Sequence, residues 1–225
     1  MRLLAPWMAA LGLWALAGPA AAHPHVWVAV KSDILFDGEG RVSGVRHAWA
    51  FDDMYSAYVT MGLGTDGKPP TREELQPIAK TNAEQLAGFD YFTFAKSGGA
   101  KLGFAPAKDY WMEAREDKVA VLHFTLPLEK PLKLTKPFSL QVYDPSYFIA
   151  FGSSSFGHCA SHARGFEFAV TTEVNRAESY YGGLMHPEET ILRFRHKPAP
   201  ASPSDSAADA TMAATSSPIV PTAGV

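Results

Sequence analysis

HVWVAVKSDILF (residues 25–36) and RVSGVRHAWAF (residues 41–51), joined by Asp37-Gly38-Glu39-Gly40, decide the fold. In the first run Val26, Val28, Val30, Ile34 and Phe36 fall on one side of a two-residue repeat, with Trp27, Lys31 and Asp33 on the other. In the second run Val45, His47, Trp49 and Phe51 share a side. Such alternation marks half-buried strands, and a Gly/Asp cluster between two of them marks a hairpin turn. If the apolar faces coincide and the turn is centred on Gly38-Glu39, the register follows. Val26 faces Phe51, Val28 faces Trp49, Val30 faces His47 and His25 faces Asp52. His47 then points inward and reads as a core histidine.

Beyond this hairpin the pattern changes. Asp52 or Asp53 is placed to cap a short helix running through Tyr55 to Met61. Thr71-Arg72-Glu73-Glu74 is a capping box, followed by Leu75, Ile78, Ala79, Asn82 and Leu86 at helical spacing, with Gly88 as the terminating residue. Pro77 inside that helix predicts a kink or a late start. From Tyr91 short aromatic or β-branched runs return: Tyr91–Lys96, Lys101–Phe104, Tyr110–Arg115, Val119–Leu126, Phe138–Tyr143 and Gly165–Glu173. The sum is a β-dominant α+β fold. Its sheets are mostly antiparallel and layered as a sandwich, with one or two helices inserted after the first hairpin.

The chain ends read differently. Arg2, the apolar run Leu3–Gly18 and the small residues Ala20-Ala21-Ala22 form a secretory signal over residues 1–22, too short and Pro-interrupted to favour a membrane anchor. Of the 29 residues from Lys197 to Val225, 21 are Ala, Ser, Pro or Thr, a composition that cannot offset its chain entropy by burial. Residues 23–196 are left as one globular domain, flanked by a cleaved leader and a disordered tail (197–225). At 47% hydrophobic and 19% charged, with a mean hydropathy of −0.07, the chain is neither wholly disordered nor a multi-span membrane protein. A net charge of −3 and a pI near 6.2 argue against nucleic-acid binding. The lone cysteine, Cys159, excludes an intrachain disulfide and a zinc module built on four cysteines.

Cleavage after Ala22 makes His23 the mature N-terminus, and that placement carries the chemistry. The α-amine and imidazole of a terminal histidine chelate one ion together, and His25 adds a third nitrogen. Such ligands suit Zn, Ni, Co and Cu far better than Ca or Mg. Pro24 has no amide N–H to deprotonate, so the square-planar amine–amide copper chelate cannot form, which leaves copper less favoured than Zn, Ni or Co. Asp52, facing His25, is a ligand or an acceptor orienting its ring. A second segment, Tyr143-Asp144-Pro145-Ser146-Tyr147, echoes Phe51-Asp52-Asp53-Met54-Tyr55, making Asp144 the next candidate ligand, with Tyr55 and Tyr147 as supporting residues. The bland reading of the echo is a shared capping habit of Asp at strand ends. His158-Cys159-x-x-His162 is a secondary metal candidate.

Several of these segments together resemble a family of bacterial periplasmic proteins described as the periplasmic component of a transport system. They are His23–Val28, Trp49–Asp52 with Tyr55-Ser56, Tyr91–Thr93, Leu126–Leu128 and Tyr143–Phe148. The resemblance covers about His23 to Phe151. It implies a periplasmic location, a role in transition-metal transport, and a polytopic inner-membrane permease of the nickel/cobalt type as partner. It brings no ligand set. Two other classes stay open. One is a secreted copper-dependent oxidative enzyme using an N-terminal histidine brace, with His123, His158 or His162 as the distant ligand. The other is a metal-free binding module presenting Trp27, Trp49 and Trp111.

Overall fold

The computed structural model describes residues 24–65, 67–156 and 166–196. His23, the leader, the Ala/Ser/Pro/Thr tail and the His158–Cys159–His162 cluster lie outside the described residues.

Among the described residues ten strands and two helices follow in order: β1 (Val26–Phe36), β2 (Val42–Phe51), α1 (Asp53–Thr60), α2 (Arg72–Leu86), β3 (Thr93–Ser97), β4 (Ala100–Leu102), β5 (Lys108–Ala114), β6 (Ala120–Leu132), β7 (Phe138–Val142), β8 (Ile149–Phe156), β9 (Phe166–Val174) and β10 (Glu188–His196). A 3-10 segment, Ala87–Phe92, joins α2 to β3. The strands form two five-stranded sheets, ordered β5-β6-β2-β1-β8 and β4-β3-β7-β10-β9. Pairing is antiparallel except between β1 and β8. The β-dominant α+β class and the two helices after the first hairpin are as the sequence predicts.

The alternation in β1 and β2 explains the layering. Ile34, Val42 and Val45 from the first sheet meet Ala95, Phe138, Leu140 and Leu192 from the second in one buried cluster, the interior of a sandwich. The rest of the same inner face, Trp49, Met112, Leu122 and Phe124, packs against Val59 of α1 and Leu75 and Ala79 of α2. The first sheet therefore has half its inner face covered by strands and half by helices. Full burial of each large apolar side chain contributes roughly 1.5–3 kcal/mol.

The hairpin faces are as predicted, but the register is not. Val28 faces Phe51, Val30 faces Trp49 and Ser32 faces His47, a two-residue displacement that preserves every side chain's face. The turn is responsible. Asp37 N–H bonds to the Arg41 carbonyl (2.9 Å), Gly40 takes the left-handed conformation (φ 75°), and the pairing shifts again between Leu35 and Phe36. A three-residue loop with an αL glycine and a bulge thus replaces a tight two-residue turn. A second close approach occurs at Gly44, where a Cβ would sit 2.5 Å from the Leu126 carbonyl oxygen, so β2 and β6 meet there only because no side chain intervenes.

The helices begin as their caps dictate. Asp52 Oδ1 accepts from the Tyr55 N–H (2.8 Å), and Thr71 and Glu74 form the reciprocal capping box. The late start that Pro77 allows does not occur: the helix starts at Arg72 and continues across Pro77, because the first-turn cap and the buried Leu75 and Ala79 outweigh one missing backbone bond. Gly88 is not a left-handed cap. The chain continues into the 3-10 segment, and Asp90, Tyr91 and Phe92 take positive φ instead (51°, 52° and 48°). Two strands also lie beyond the sequence expectation, β8 and β10.

Candidate functional site

β1 begins between the end of β2 and the start of β8, so the two echoed Asp segments flank the chain where it enters the first sheet. On one side Asp52 closes β2. Its N–H donates to the Trp27 carbonyl (2.9 Å) and its Oδ2 accepts from the Trp27 N–H (2.7 Å). On the other side Asp144 lies in the β7–β8 loop, buried at 5% exposure. Its Oδ1 accepts from the Ser146 N–H and hydroxyl (both 2.8 Å), and its Oδ2 from the Ile149 N–H (3.0 Å). His25 stands between them on the exposed rim. Its N–H donates to the Phe148 carbonyl (2.9 Å), and its ring lies 4.7 Å from that of Phe148.

The expectation that Asp52 faces His25 is corrected by the register: Asp52 faces Trp27. Both carboxylates accept backbone N–H groups, Asp52 at both oxygens and Asp144 at both, which is the capping role the sequence allows for the echo. A carboxylate has about four lone-pair sites, so each keeps acceptor capacity beyond these bonds. Among the described residues no three His, Cys, Asp or Glu side chains converge on a point that would hold an ion. Asp52→Ala is expected to destabilise the protein by about 1–2 kcal/mol in urea unfolding, since it orphans the Tyr55 and Trp27 donors. Asp52→Asn, which keeps one acceptor, is expected to lose less.

Tyr55 is half-buried. Its hydroxyl donates to Asn82 Oδ1 (2.9 Å), its ring packs on Phe51 at 4.4 Å, and burial raises its pKa. It braces α1 against α2. Tyr147 sits in the left-handed region (φ 58°) beside Tyr180 (6.2 Å) and Tyr181 (5.4 Å). Tyr180 also packs on Tyr143 (4.9 Å), and burial raises the pKa of both. This tyrosine cluster joins the β7–β8 and β9–β10 loops through the Tyr181 N–H to the Pro145 carbonyl (3.2 Å). The adjacent Tyr180-Tyr181 pair before two glycines is its sequence signal, and no periodicity links it to Tyr147.

His123 has other partners. It lies on β6 with its ring stacked on Trp111 (3.8 Å, 6° between planes), whose other neighbour is the Arg72 guanidinium at 4.0 Å, and its Nε2 is 3.1 Å from Glu113 Oε1. Burial lowers its pKa, opposed by Glu113. Trp27 is 55% exposed, whereas Trp49 is buried in the core and Trp111 is engaged in this stack. A cleft of about 720 Å³ between α1 and the β5–β6 turn is lined by both signs of charge, including Asp53, Lys68, Arg115 and Asp117, and by none of the predicted ligands.

A family model described as "Protein of unknown function (DUF1007)" matches residues 8–181. An uncharacterised protein of Haemophilus influenzae (strain ATCC 51907 / DSM 11121 / KW20 / Rd) is 27% identical over 141 residues, spanning 62% of this chain and 66% of that relative. Among solved structures, the acetylcholine-binding protein of Bulinus truncatus aligns with a TM-score of 0.39 at 10% identity, over 85% of this chain and 98% of its own. Type 1 acetylcholine-binding protein of Biomphalaria glabrata aligns at 0.40 with 16% identity over the same shares.

Proposed function

Since the chain belongs to the DUF1007 family, whose name assigns no activity, we propose a function from the chain's own N-terminal chemistry. We read it as a periplasmic transition-metal-binding accessory protein of a zinc, nickel or cobalt transport system. It captures the ion through the His23 amine and imidazole with His25, and presents it to a polytopic inner-membrane permease. The observation that carries this reading is His23-Pro24-His25 placed directly after Ala22, where leader cleavage frees the amine. The geometry is compatible with it. His25 is exposed at the rim of the first sheet, and the carboxylates of Asp52 and Asp144 are fixed one strand to either side. A site at a chain end, open on one side, releases an ion more readily than a closed four-ligand site, which suits hand-over rather than structural binding.

The test is a titration of Zn²⁺, Ni²⁺, Co²⁺ and Cu²⁺ into two forms of the mature protein. One begins at His23, confirmed by mass, and the other carries a single extra residue before it. The native end is expected to bind one ion at least tenfold more tightly, a difference of about 1.4 kcal/mol. Equal affinities would remove the amine from the ligand set, and no binding to either form would end the metal reading. Copper-dependent oxidation of a reductant by the native form alone would move the assignment to the histidine-brace enzyme.

A further inference from the structure

Among the described residues nine large hydrophobic side chains stand exposed, and eight of them, counting Val174 at the end of β9, belong to one end of the sandwich. The strand pairings identify that end. The start of β1 lies beside the end of β2 and the start of β8, and the end of β7 lies beside the starts of β3 and β10. β9 ends beside the start of β10, and the β7–β8 loop ties the two sheets together there. Trp27 opens β1, Phe89 precedes β3, Phe148 precedes β8, and Leu184 is in the β9–β10 loop. The remaining three lie on or just after α1, which packs over the start of β6 through the Ala120 N–H to Ser56 Oγ (3.0 Å). Met54, Tyr58 and Met61 are spaced i, i+4 and i+7 and are 71%, 69% and 70% exposed, while Ser56 and Val59 are buried beneath. The opposite end carries none of the nine. It is built from Asp37–Gly40, Gly98-Gly99 and a Lys130, Lys133, Lys136 stretch.

We propose that this apolar end is a membrane-docking face that settles into the interfacial region of a lipid bilayer. Three observations select a bilayer as the occupant. Aromatic rings and methionines on loop tips and one helical stripe are the side chains that gain at headgroup depth, where a ring buries its body and keeps its polar edge wet. Lys68, Arg115 and Lys118 stand on the same end around the cleft beside α1 together with Asp53, Glu116 and Asp117, both signs of charge, as a zwitterionic headgroup layer also presents. The third observation is where the described chain starts. Pro24 lies at this end, and only Pro19–His23 separate it from the apolar run Leu3–Gly18. Five residues span at most about 18 Å. A precursor whose apolar run is in the membrane therefore holds this end, and no other, against the headgroups. This inference shares with the metal reading only the leader over residues 1–22 and needs no bound ion.

Flotation with vesicles in the presence of EDTA tests it, using the mature chain with phosphatidylcholine alone and with phosphatidylcholine plus phosphatidylglycerol. The protein is expected to float with both, and its tryptophan emission to shift to the blue through Trp27, since Trp49 is already buried. The triple variant Trp27→Ser, Met54→Ser, Tyr58→Ser is expected to lower vesicle binding at least tenfold with its melting temperature nearly unchanged, because all three side chains are exposed. Lys133→Ser at the opposite end is expected to bind as the parent does. Absence of flotation with either vesicle would overturn the proposal and leave the face to a protein partner. Flotation confined to anionic vesicles and undiminished in the triple variant would also overturn it, as adsorption by charge alone.

Discussion

Trp49→Ala is expected to lower the unfolding free energy by about 3–5 kcal/mol, enough to drop the melting temperature by about 10 °C. Trp49 is 1% exposed and packs between the rings of Phe124 (4.9 Å) and Phe151 (5.0 Å), with His47 at 5.8 Å. It sits where the strand-covered and helix-covered halves of the first sheet meet, so no mobile neighbour can collapse into the space. Trp49→Phe is expected to cost much less, within about 1.5 kcal/mol. The indole Nε1 is buried without a hydrogen-bond partner, so the substitution loses area but also removes an orphaned donor worth about 1–3 kcal/mol. Denaturant unfolding of the two variants checks both numbers. A Trp49→Phe loss as large as that of Trp49→Ala would show that the indole N–H is satisfied in solution.

Acid is expected to destabilise the protein through His47. The side chain is fully buried, and desolvation lowers its pKa to about 3. Its hydrogen bonds fix the tautomer. Thr93 Oγ1 already donates to the Tyr91 carbonyl (2.8 Å), so it accepts from His47 Nε2–H (3.3 Å), and the Ser32 hydroxyl donates to Nδ1 (2.9 Å). The neutral ring is therefore satisfied at both nitrogens, and the charged ring would be buried with only hydroxyl partners. Unfolded histidine titrates near 6.5, so between about pH 6.5 and 3 the unfolded chain holds a proton that the folded chain refuses. Stability is complete above about pH 6.5 and falls by about 1.4 kcal/mol per pH unit below it, or roughly 2.7 kcal/mol by about pH 4.5. His47→Gln, which keeps a donor and an acceptor, is expected to flatten that slope. His123 contributes in the same direction and more weakly, being only partly buried. A stability profile from about pH 4 to 8 for the parent, His47→Gln and His123→Gln separates the two contributions.

The parts of the fold that depend on periodicity and local chemistry were legible in the sequence. The faces of β1 and β2, the cap at Asp52 and the Thr71–Glu74 box all follow from residues within one turn or one strand of each other. The register did not follow, because a left-handed Gly40 and a bulge at Leu35/Phe36 displace the pairing without disturbing the alternation. β8 escaped because its IAFGSSSF sequence has a glycine and three serines, the composition of a loop, and becomes a strand only by pairing with β1. β10 does carry a two-residue apolar repeat, Leu192 and Phe194 with Thr190, among charged neighbours that weaken it. At the site, the His25 strand start and the two Asp segments do meet at one end of the first sheet. The rings of Phe148, Tyr180 and Tyr181 around them come from loops far apart in the chain, and no local rule assembles them.

The parallel pairing of β1 with β8 has a consequence for the order of assembly. Val26 finds Ile149 only after most of the intervening chain has been placed, and closing a loop of that length costs roughly 4 kcal/mol of chain entropy. The β1–β2–β6–β5 part of the first sheet can form from contacts closer in sequence, whereas the outer side of β1 must wait for the crossover from the second sheet. His25, hydrogen-bonded to Phe148, is thus finished late. A chain that emerges N-terminus first would therefore hold the outer edge of β1 unpaired until β8 followed it, more than a hundred residues later.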